Sequence, residues 1–270
     1  KYRSSFKVKT FSFTREELNN INLNNIDVIL HLSALVHQKK KLSLEEYLKV
    51  NAFQTFDLAK KAKKSRVKHF IFLSSISVYD KSLSHINEKS YLNPITFYGK
   101  SKLRGEQLIK SLEDNRFQIT IIRSPLIYGM DCPGNISSLV KLIDWLPVIP
   151  LGGIDNKKSF VYVENLCSMI FGSIEKNKSG IFLASDDQVI STSYLVKTMA
   201  RLKRKKIIVI KSTVFNFFLK YFFPNLYHKL FRNLTIDNNY TKSELNITNQ
   251  IPFEEGIRKT LLNVDFDSNN

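Results

Sequence analysis

A tyrosine and a lysine four residues apart are the residues most suited to chemistry in this 270-residue sequence. The stretch Tyr98-Gly99-Lys100-Ser101-Lys102 opens a predicted helix, on which side chains four positions apart project from one face. A free tyrosine has a pKa of about 10, but a nearby ammonium favours the phenolate and makes the hydroxyl a usable acid/base. The spacing therefore predicts that Tyr98 exchanges a proton with a substrate hydroxyl and that Lys102 assists it.

Hydroxyl side chains follow a predicted buried strand upstream of this pair. The apolar run Phe70–Leu73 leads into Ser74, Ser75 and Ser77. Ligands of open α/β sheets bind outside the carboxyl ends of the strands, so one of these serines is expected to contact the reacting oxygen. The alternative is a serine-rich strand end that satisfies its own backbone.

Short apolar runs alternate with longer helical patterns along the first half of the chain. The predicted strands are Asp27–Leu32, His69–Ser74 and Gln118–Arg123, and the predicted helices are Leu44–Lys63 and Tyr98–Leu112. This alternation is typical of βαβ units, so it predicts a parallel sheet with right-handed crossovers.

Proline and glycine punctuate the chain after Gly129, which predicts that a smaller second lobe interrupts the first. The aromatic and basic stretch Val214–Phe231 is broken by Pro224. We expect it to form a helix packed inside the second lobe, and a helix lying on a membrane surface is the alternative.

The predicted division gives each lobe two segments. Residues 1–128 and 157–185 are expected to form the larger domain, and residues 129–156 and 186–270 the smaller lobe.

The net charge of +17, from 41 basic and 24 acidic residues, would fit a polyanionic partner. The lysines are scattered, however, and no nucleic-acid-binding motif accompanies them, so no nucleic-acid partner is predicted. Cys132 and Cys167 lack metal-ligand spacing, which predicts neither a metal site nor a disulfide. The polar segment Lys1–Thr10 resembles neither a signal peptide nor a membrane span, so a cytoplasmic protein without stable membrane insertion is expected.

Six motifs occur in a fixed order along the chain. They are Asp27–Ala34 (DVILHLSA), Asn51–Thr55 (NAFQT), Leu73–Tyr79 (LSSISVY), Tyr98–Lys102 (YGKSK), Arg123–Gly129 (RSPLIYG) and Ser159–Leu166 (SFVYVENL). This order resembles that of the extended short-chain dehydrogenases/reductases, in particular the NAD-dependent epimerase/dehydratase family that acts on nucleotide sugars.

The resemblance implies a role for each matching residue. Tyr98 would be the acid/base, Lys102 would lower its pKa and hold the nicotinamide ribose, and Ser75 would orient the substrate. The implied cofactor-binding positions are Leu32, Ser33, Ala34, Asn51, Tyr98, Lys102, Ser124 and Pro125. The implied substrate-binding positions are Ser75, Ser77, Asn135 and Lys158.

The resemblance also implies a fold and an activity. The fold would be a Rossmann-like doubly wound parallel sheet with a smaller, mostly helical substrate-binding lobe. The cofactor would be NAD, with NADP as the alternative, and the protein would be a homodimer. The activity would be epimerisation at C4 of a UDP-hexose or UDP-N-acetylhexosamine in bacterial surface-polysaccharide biosynthesis. The alternatives are a UDP-4-keto-6-deoxyhexosamine 4-reductase and a non-catalytic sugar-nucleotide-binding fragment.

Members of this family begin with a strand and a glycine-rich turn that holds the cofactor pyrophosphate. The first glycine of this chain is Gly99. We therefore expect an N-terminally truncated sheet that the chain enters near Val8–Phe13, either as a fragment of a longer chain or as a natural truncation.

Overall fold

The computed structural model describes residues 6–36, 42–130, 132 and 135–262. Ten strands occur in this part of the chain, and most of them are short. They are β1 Val28–His31, β2 His69–Ser75, β3 His85–Ile86, β4 Gln118–Ser124, β5 Ile127–Tyr128, β6 Val148–Ile149, β7 Val161–Tyr162, β8 Gly180–Leu183, β9 Ile208–Val209 and β10 Thr235–Ile236.

Eleven α-helices connect and cover these strands in the described residues. They are α1 Arg15–Asn20, α2 Leu44–Leu48, α3 Thr55–Lys64, α4 Phe97–Lys110, α5 Asn135–Trp145, α6 Val163–Glu175, α7 Thr192–Leu202, α8 Thr213–Phe222, α9 Pro224–Phe231, α10 Asn239–Leu245 and α11 Phe253–Leu261. A π-helix, Lys49–Gln54, joins α2 to α3, and a 3-10 turn, Ile76–Val78, follows β2.

The central sheet has four parallel strands in the order β1-β2-β4-β8. Phe72 of β2 lies opposite His31 of β1 and Ile121 of β4, so the carboxyl ends of these strands meet at one edge of the sheet. The predicted α/β fold with a parallel sheet is confirmed, and the three predicted strands coincide with β1, β2 and β4.

Both faces of the sheet are covered, because successive side chains of a strand point to opposite faces. Phe70 and Phe72 belong to a buried cluster with residues of α3 and α4. Ile71 belongs to a different cluster with Leu166 and Met169 of α6. The sheet therefore lies between two helical layers, which is why its strands are apolar throughout.

A separate apolar cluster lies among helices that follow the first half of the chain. Val140 and Ile143 of α5 pack there with Val196 and Met199 of α7 and with Ile257 of α11. Most of the elements around this cluster are helices.

Two predicted elements differ from the structure. Val8–Phe13, where a strand was expected, contains no regular element and most of its side chains are exposed, so it has no sheet partner in the described residues. The predicted continuous helix Leu44–Lys63 is interrupted by the π-helix Lys49–Gln54. Hydrophobic periodicity alone did not indicate the π-helix, whose residue Asn51 is held by hydrogen bonds to Leu35 and Ser101, which are distant in sequence.

The aromatic stretch forms two helices, α8 and α9, and the break at Pro224 is confirmed. The prediction that its aromatic side chains pack inside the lobe holds for Phe215 and Phe231, which pack against the helical cluster, and is wrong for the side chains on the other face. Phe217 is 71% exposed and Tyr221 is 73% exposed, and α9 contains no buried residue. Within residues 6–36, 42–130, 132 and 135–262, no helix has the length and apolarity needed to cross a bilayer.

Candidate active site

The start of α4 packs directly against the end of β2, and a glycine makes this approach feasible. A Cβ atom on Gly99 would lie 2.3 Å from the backbone oxygen of Ser77. Thr96 caps the helix, since its hydroxyl accepts a hydrogen bond from the Gly99 N–H at 3.0 Å. The contact brings the first turn of α4, and therefore Tyr98, to the hydroxyl-rich end of β2.

Tyr98 and Ser75 are brought together at this contact, as the sequence predicts. Burial raises the pKa of the half-buried Tyr98, and a hydrogen bond with the Ser75 side chain lowers it in part. The Ser75 hydroxyl also accepts a hydrogen bond from the Ser77 N–H at 3.2 Å. Ser75 therefore caps its own strand end and contacts the tyrosine, and its contact with a reacting oxygen stays a prediction. Ser77, an expected substrate contact, is exposed beside it.

Lys102 lies one turn below Tyr98 and is only 1% exposed. Its Nζ is 3.8 Å from the centroid of the Phe72 ring, and it makes no hydrogen bond to the residues that the structure describes. Burial lowers the pKa of Lys102 to about 7, and the charge of Glu106 opposes this shift. An ammonium with three unused donors in an apolar setting is well suited to bind the hydroxyls of a ribose.

The pKa of Tyr98 is raised overall, because burial outweighs the lowering by the hydrogen bond with Ser75. Lys102 is itself desolvated, and with a pKa of about 7 it is partly deprotonated near neutral pH. That Lys102 lowers the pKa of Tyr98 stays a prediction.

Beneath the pair lies a buried charged network that sequence reasoning missed. Glu106 accepts hydrogen bonds from Arg123 Nη2 at 2.6 Å and from Arg123 Nε at 3.1 Å. Ser74 donates to Glu106 at 2.5 Å, and Arg123 donates to the Tyr79 hydroxyl at 2.8 Å. Two signals in the sequence pointed to it. Glu106 lies four residues after Lys102 on the same helix face, and Arg123 ends an otherwise apolar strand.

Asn51, an expected cofactor contact, is buried and hydrogen-bonded to two other segments of the chain. Its Oδ1 accepts from the Leu35 N–H at 2.7 Å, and its Nδ2 donates to the Leu35 oxygen at 2.9 Å and to the Ser101 hydroxyl at 3.0 Å. These bonds use both amide protons of Asn51. The π-helix that carries Asn51 thus holds the loop after β1 against α4.

The remaining expected cofactor positions line the carboxyl edge of the sheet. Leu32 and Ser33 are exposed and Ala34 is half-buried in the loop after β1. Ser124 and Pro125 are buried at the end of β4, where the Ser124 hydroxyl donates to the Ser74 oxygen at 3.4 Å. The structure thus places five of these positions at the strand ends that flank Tyr98.

Lys158, an expected substrate contact, lies with a second cation at the end of α9. Its Nζ donates to the backbone oxygen of Lys229. Burial and the charge of Arg232 lower the pKa of Lys158 to about 8. Two neighbouring cations repel each other, and a bound anion would relieve that repulsion. Sequence reasoning missed Arg232. Asn135 begins α5, and its side chain lies outside the described part.

Comparison with known proteins gives consistent results. Residues 10–183 match the model of the NAD dependent epimerase/dehydratase family. A UDP-glucose 4-epimerase of Vibrio cholerae is 32% identical over 251 residues, which cover 88% of this chain and 76% of that protein. An N-acetyl-alpha-D-glucosaminyl-diphospho-ditrans,octacis-undecaprenol 4-epimerase of Escherichia coli O157:H7 is 27% identical over 190 residues, which cover 68% of this chain and 57% of that protein.

Among solved structures, the UDP-glucuronic acid 4-epimerase of Bacillus cereus in complex with NAD superposes with a TM-score of 0.72 at 21% identity. The superposition covers 91% of this chain and 78% of that one. At this identity the likeness supports the fold, which agrees with the parallel sheet and its helical layers.

Proposed function

Because the chain belongs to the NAD dependent epimerase/dehydratase family, a family of enzymes that use NAD, we propose that it inverts the C4 configuration of a UDP-hexose or UDP-N-acetylhexosamine. The observation that carries the proposal is the arrangement of Ser75, Tyr98 and Lys102 at the carboxyl end of β2. The two related proteins named above are 4-epimerases, which supports C4 as the site of reaction. Surface-polysaccharide biosynthesis is the proposed context.

The chemistry assigned to this chain is proton transfer at one sugar hydroxyl. Tyr98 takes the proton of the C4 hydroxyl and returns it, while Ser75, already hydrogen-bonded to Tyr98, holds the reacting oxygen. Taking this proton requires the phenolate form of Tyr98, which burial disfavours and the hydrogen bond with Ser75 favours. Bound NAD supplies the acceptor and donor of the C4 hydride.

The nicotinamide half of the cofactor fits the residues present. The buried Lys102 ammonium has donors unused by the described residues, and it would hold the ribose hydroxyls. Ser124 and Pro125 would flank the ring, and Leu32 and Ser33 would line the cleft. Asn51 would act through the loop that it holds.

The test combines cofactor binding with turnover. Calorimetric titration with NAD is expected to show binding that Tyr98→Phe preserves, whereas C4 inversion of UDP-N-acetylglucosamine, followed by NMR, is expected to fall by about 10²- to 10⁴-fold in that variant. Tyr91→Phe, at an exposed tyrosine, is the matched control. Unchanged turnover in Tyr98→Phe would contradict the proposal. A strict requirement for added reduced cofactor would favour the 4-reductase, and sugar-nucleotide binding without turnover would favour the non-catalytic alternative.

A second candidate substrate is a sugar diphosphate attached to a polyprenol instead of a uridine. The relative from Escherichia coli O157:H7 carries such a substrate in its name, and the exposed aromatic side chains of α8 and α9 favour it here. Parallel assays with N-acetylglucosamine linked through diphosphate to uridine or to undecaprenol separate the two. Inversion of only one of them assigns the carrier.

We also propose the division of the chain and its assembly. Residues 1–128 and 157–185 would form the dinucleotide-binding domain, and residues 129–156 and 186–270 the substrate-binding lobe. The predicted helical segments Leu44–Lys63 and Tyr98–Leu112 would join two copies in a homodimer, which analytical ultracentrifugation tests directly.

A further inference from the structure

The outward face of α8 is apolar. Val214, Phe217, Phe218 and Tyr221 follow the spacing i, i+3, i+4, i+7, and they are 80%, 71%, 45% and 73% exposed. Leu219, on the opposite side, is the one buried residue of the helix. A surface helix in water ordinarily turns its apolar stripe towards the core. The apolar stripe of α8 faces outward instead.

The apolar surface continues into α9, and we call residues 213–231 the aromatic hairpin. The ring of Phe218 lies 5.0 Å from that of Phe222 and 5.7 Å from that of Phe223, measured between centroids. An open cavity of about 350 Å³ lies at the bend and is lined by Phe222, Phe223, Pro224, Asn225, Leu226 and Lys229. Connected exposed rings of this kind mark an interaction surface, whereas single exposed apolar residues do not.

The segment around the aromatic hairpin contains no carboxylate. Residues 188–236 include no aspartate or glutamate, although they hold ten of the 41 lysines and arginines. These are Lys197, Arg201, Lys203, Arg204, Lys205, Lys206, Lys211, Lys220, Lys229 and Arg232. Lys205, Lys206, Lys211 and Lys220 are exposed, and no carboxylate in the described part of the chain pairs with them.

We propose that the aromatic hairpin docks on the surface of an anionic lipid bilayer. Aromatic and aliphatic side chains of α8 would enter the boundary between headgroups and acyl chains, and the flanking lysines would contact lipid phosphates. At ten residues, α8 lies in the interface plane and is too short to cross the membrane.

Charge distinguishes this occupant from the other candidates. A second copy of the chain would bring two strongly cationic segments together, which opposes self-association through this surface. Nucleic acid would satisfy the lysines and stack on the rings, but it would leave the aliphatic side chains of Val214 and Leu226 without an apolar partner. An anionic bilayer satisfies both the cations and the aliphatic side chains.

The experiment is sedimentation of the purified chain with two kinds of vesicle. One kind contains phosphatidylcholine alone, and the other contains phosphatidylcholine with about 30 mol% phosphatidylglycerol. We expect binding to the anionic vesicles, weakened by salt, and roughly tenfold or greater loss in the double variant Phe217→Ser, Tyr221→Ser. Both residues are exposed, so the variant is expected to fold, which circular dichroism checks. Tyr91→Ser is the matched aromatic control.

Lys220→Glu tests the contribution of charge, with Lys64→Glu as the control at an exposed lysine of α3. Selective weakening by Lys220→Glu supports the proposal. Absence of vesicle binding by the folded chain, equal binding to both vesicle types, or a dimer that only the hairpin variant disrupts would overturn it. These measurements need neither NAD nor a sugar substrate, so their outcome is independent of the proposed enzymatic function.

Discussion

Replacing Lys102 by methionine is expected to stabilise the fold while removing cofactor binding. The shift of the Lys102 pKa from 10.5 to about 7 corresponds to an unfavourable free energy of about 4 kcal/mol at pH 7, because each pKa unit is worth about 1.4 kcal/mol. Methionine has a similar length and no charge, so Lys102→Met is expected to raise the free energy of unfolding at pH 7 by up to about 4 kcal/mol.

The gain must depend on pH with a definite sign. Since the pKa of Lys102 is lower in the folded than in the unfolded chain, the unfolded chain binds more protons between pH 7 and 10.5, and wild-type stability rises through that window. The advantage of Lys102→Met is therefore expected to fall by about 2 kcal/mol between pH 7 and pH 9.

Urea unfolding at the two pH values measures this advantage, and NAD titration of the same preparations measures the loss of binding. Lys100→Met, at an exposed position of the same helix, is the control for helix propensity and is expected to change neither quantity. A destabilised Lys102→Met variant, or an advantage that does not change with pH, would refute the assignment of Lys102 as a desolvated cation held for a ligand.

Three further substitutions test how the site is built. Glu106→Gln leaves the Arg123 guanidinium buried beside a neutral partner and is expected to lower the free energy of unfolding by about 3 kcal/mol in urea titration. Gly99→Ala places a Cβ atom 2.3 Å from the Ser77 oxygen, so α4 must shift and C4 inversion is expected to fall much more than NAD binding. Asn51→Ala removes three hydrogen bonds to two elements, and faster hydrogen exchange in the loop after β1 is expected. Unchanged exchange there would show that the loop is held by other contacts.

The sequence predicted the parts of the fold that hydrophobic patterning controls. The strands around Phe70 and Ile121 are buried on both faces, so their apolar runs were unambiguous. The π-helix at Asn51 was not predicted, because the side-chain amide of Asn51 makes its hydrogen bonds to Leu35 and Ser101, which are distant in sequence. Tertiary contacts of this kind leave no local periodicity.

The sequence indicated which residues lie together at the candidate site, but it did not indicate the direction in which their pKa values shift. The spacing of Tyr98 and Lys102 correctly indicated one helix face, but the direction of the tyrosine pKa followed from burial, which a sequence pattern does not measure. Burial likewise determines which side chains of the aromatic stretch face the solvent. Phe217 and Tyr221 have the composition of core residues, and only the packing of α8 shows that they face outward.

Helix α4 explains how one element carries both the reactive and the supporting groups. Tyr98, Lys102 and Glu106 lie four residues apart on one face, so they descend from the edge of the sheet into the protein as a hydroxyl, a cation and a carboxylate. Arg123, on the neighbouring strand, pairs with the Glu106 carboxylate. The charge of Glu106 still opposes the lowering of the Lys102 pKa, although Glu106 makes no hydrogen bond to the Lys102 ammonium. The lysine is thereby kept buried, poorly solvated and available to a ligand, whereas a direct pair with Glu106 would have made it a structural ion pair.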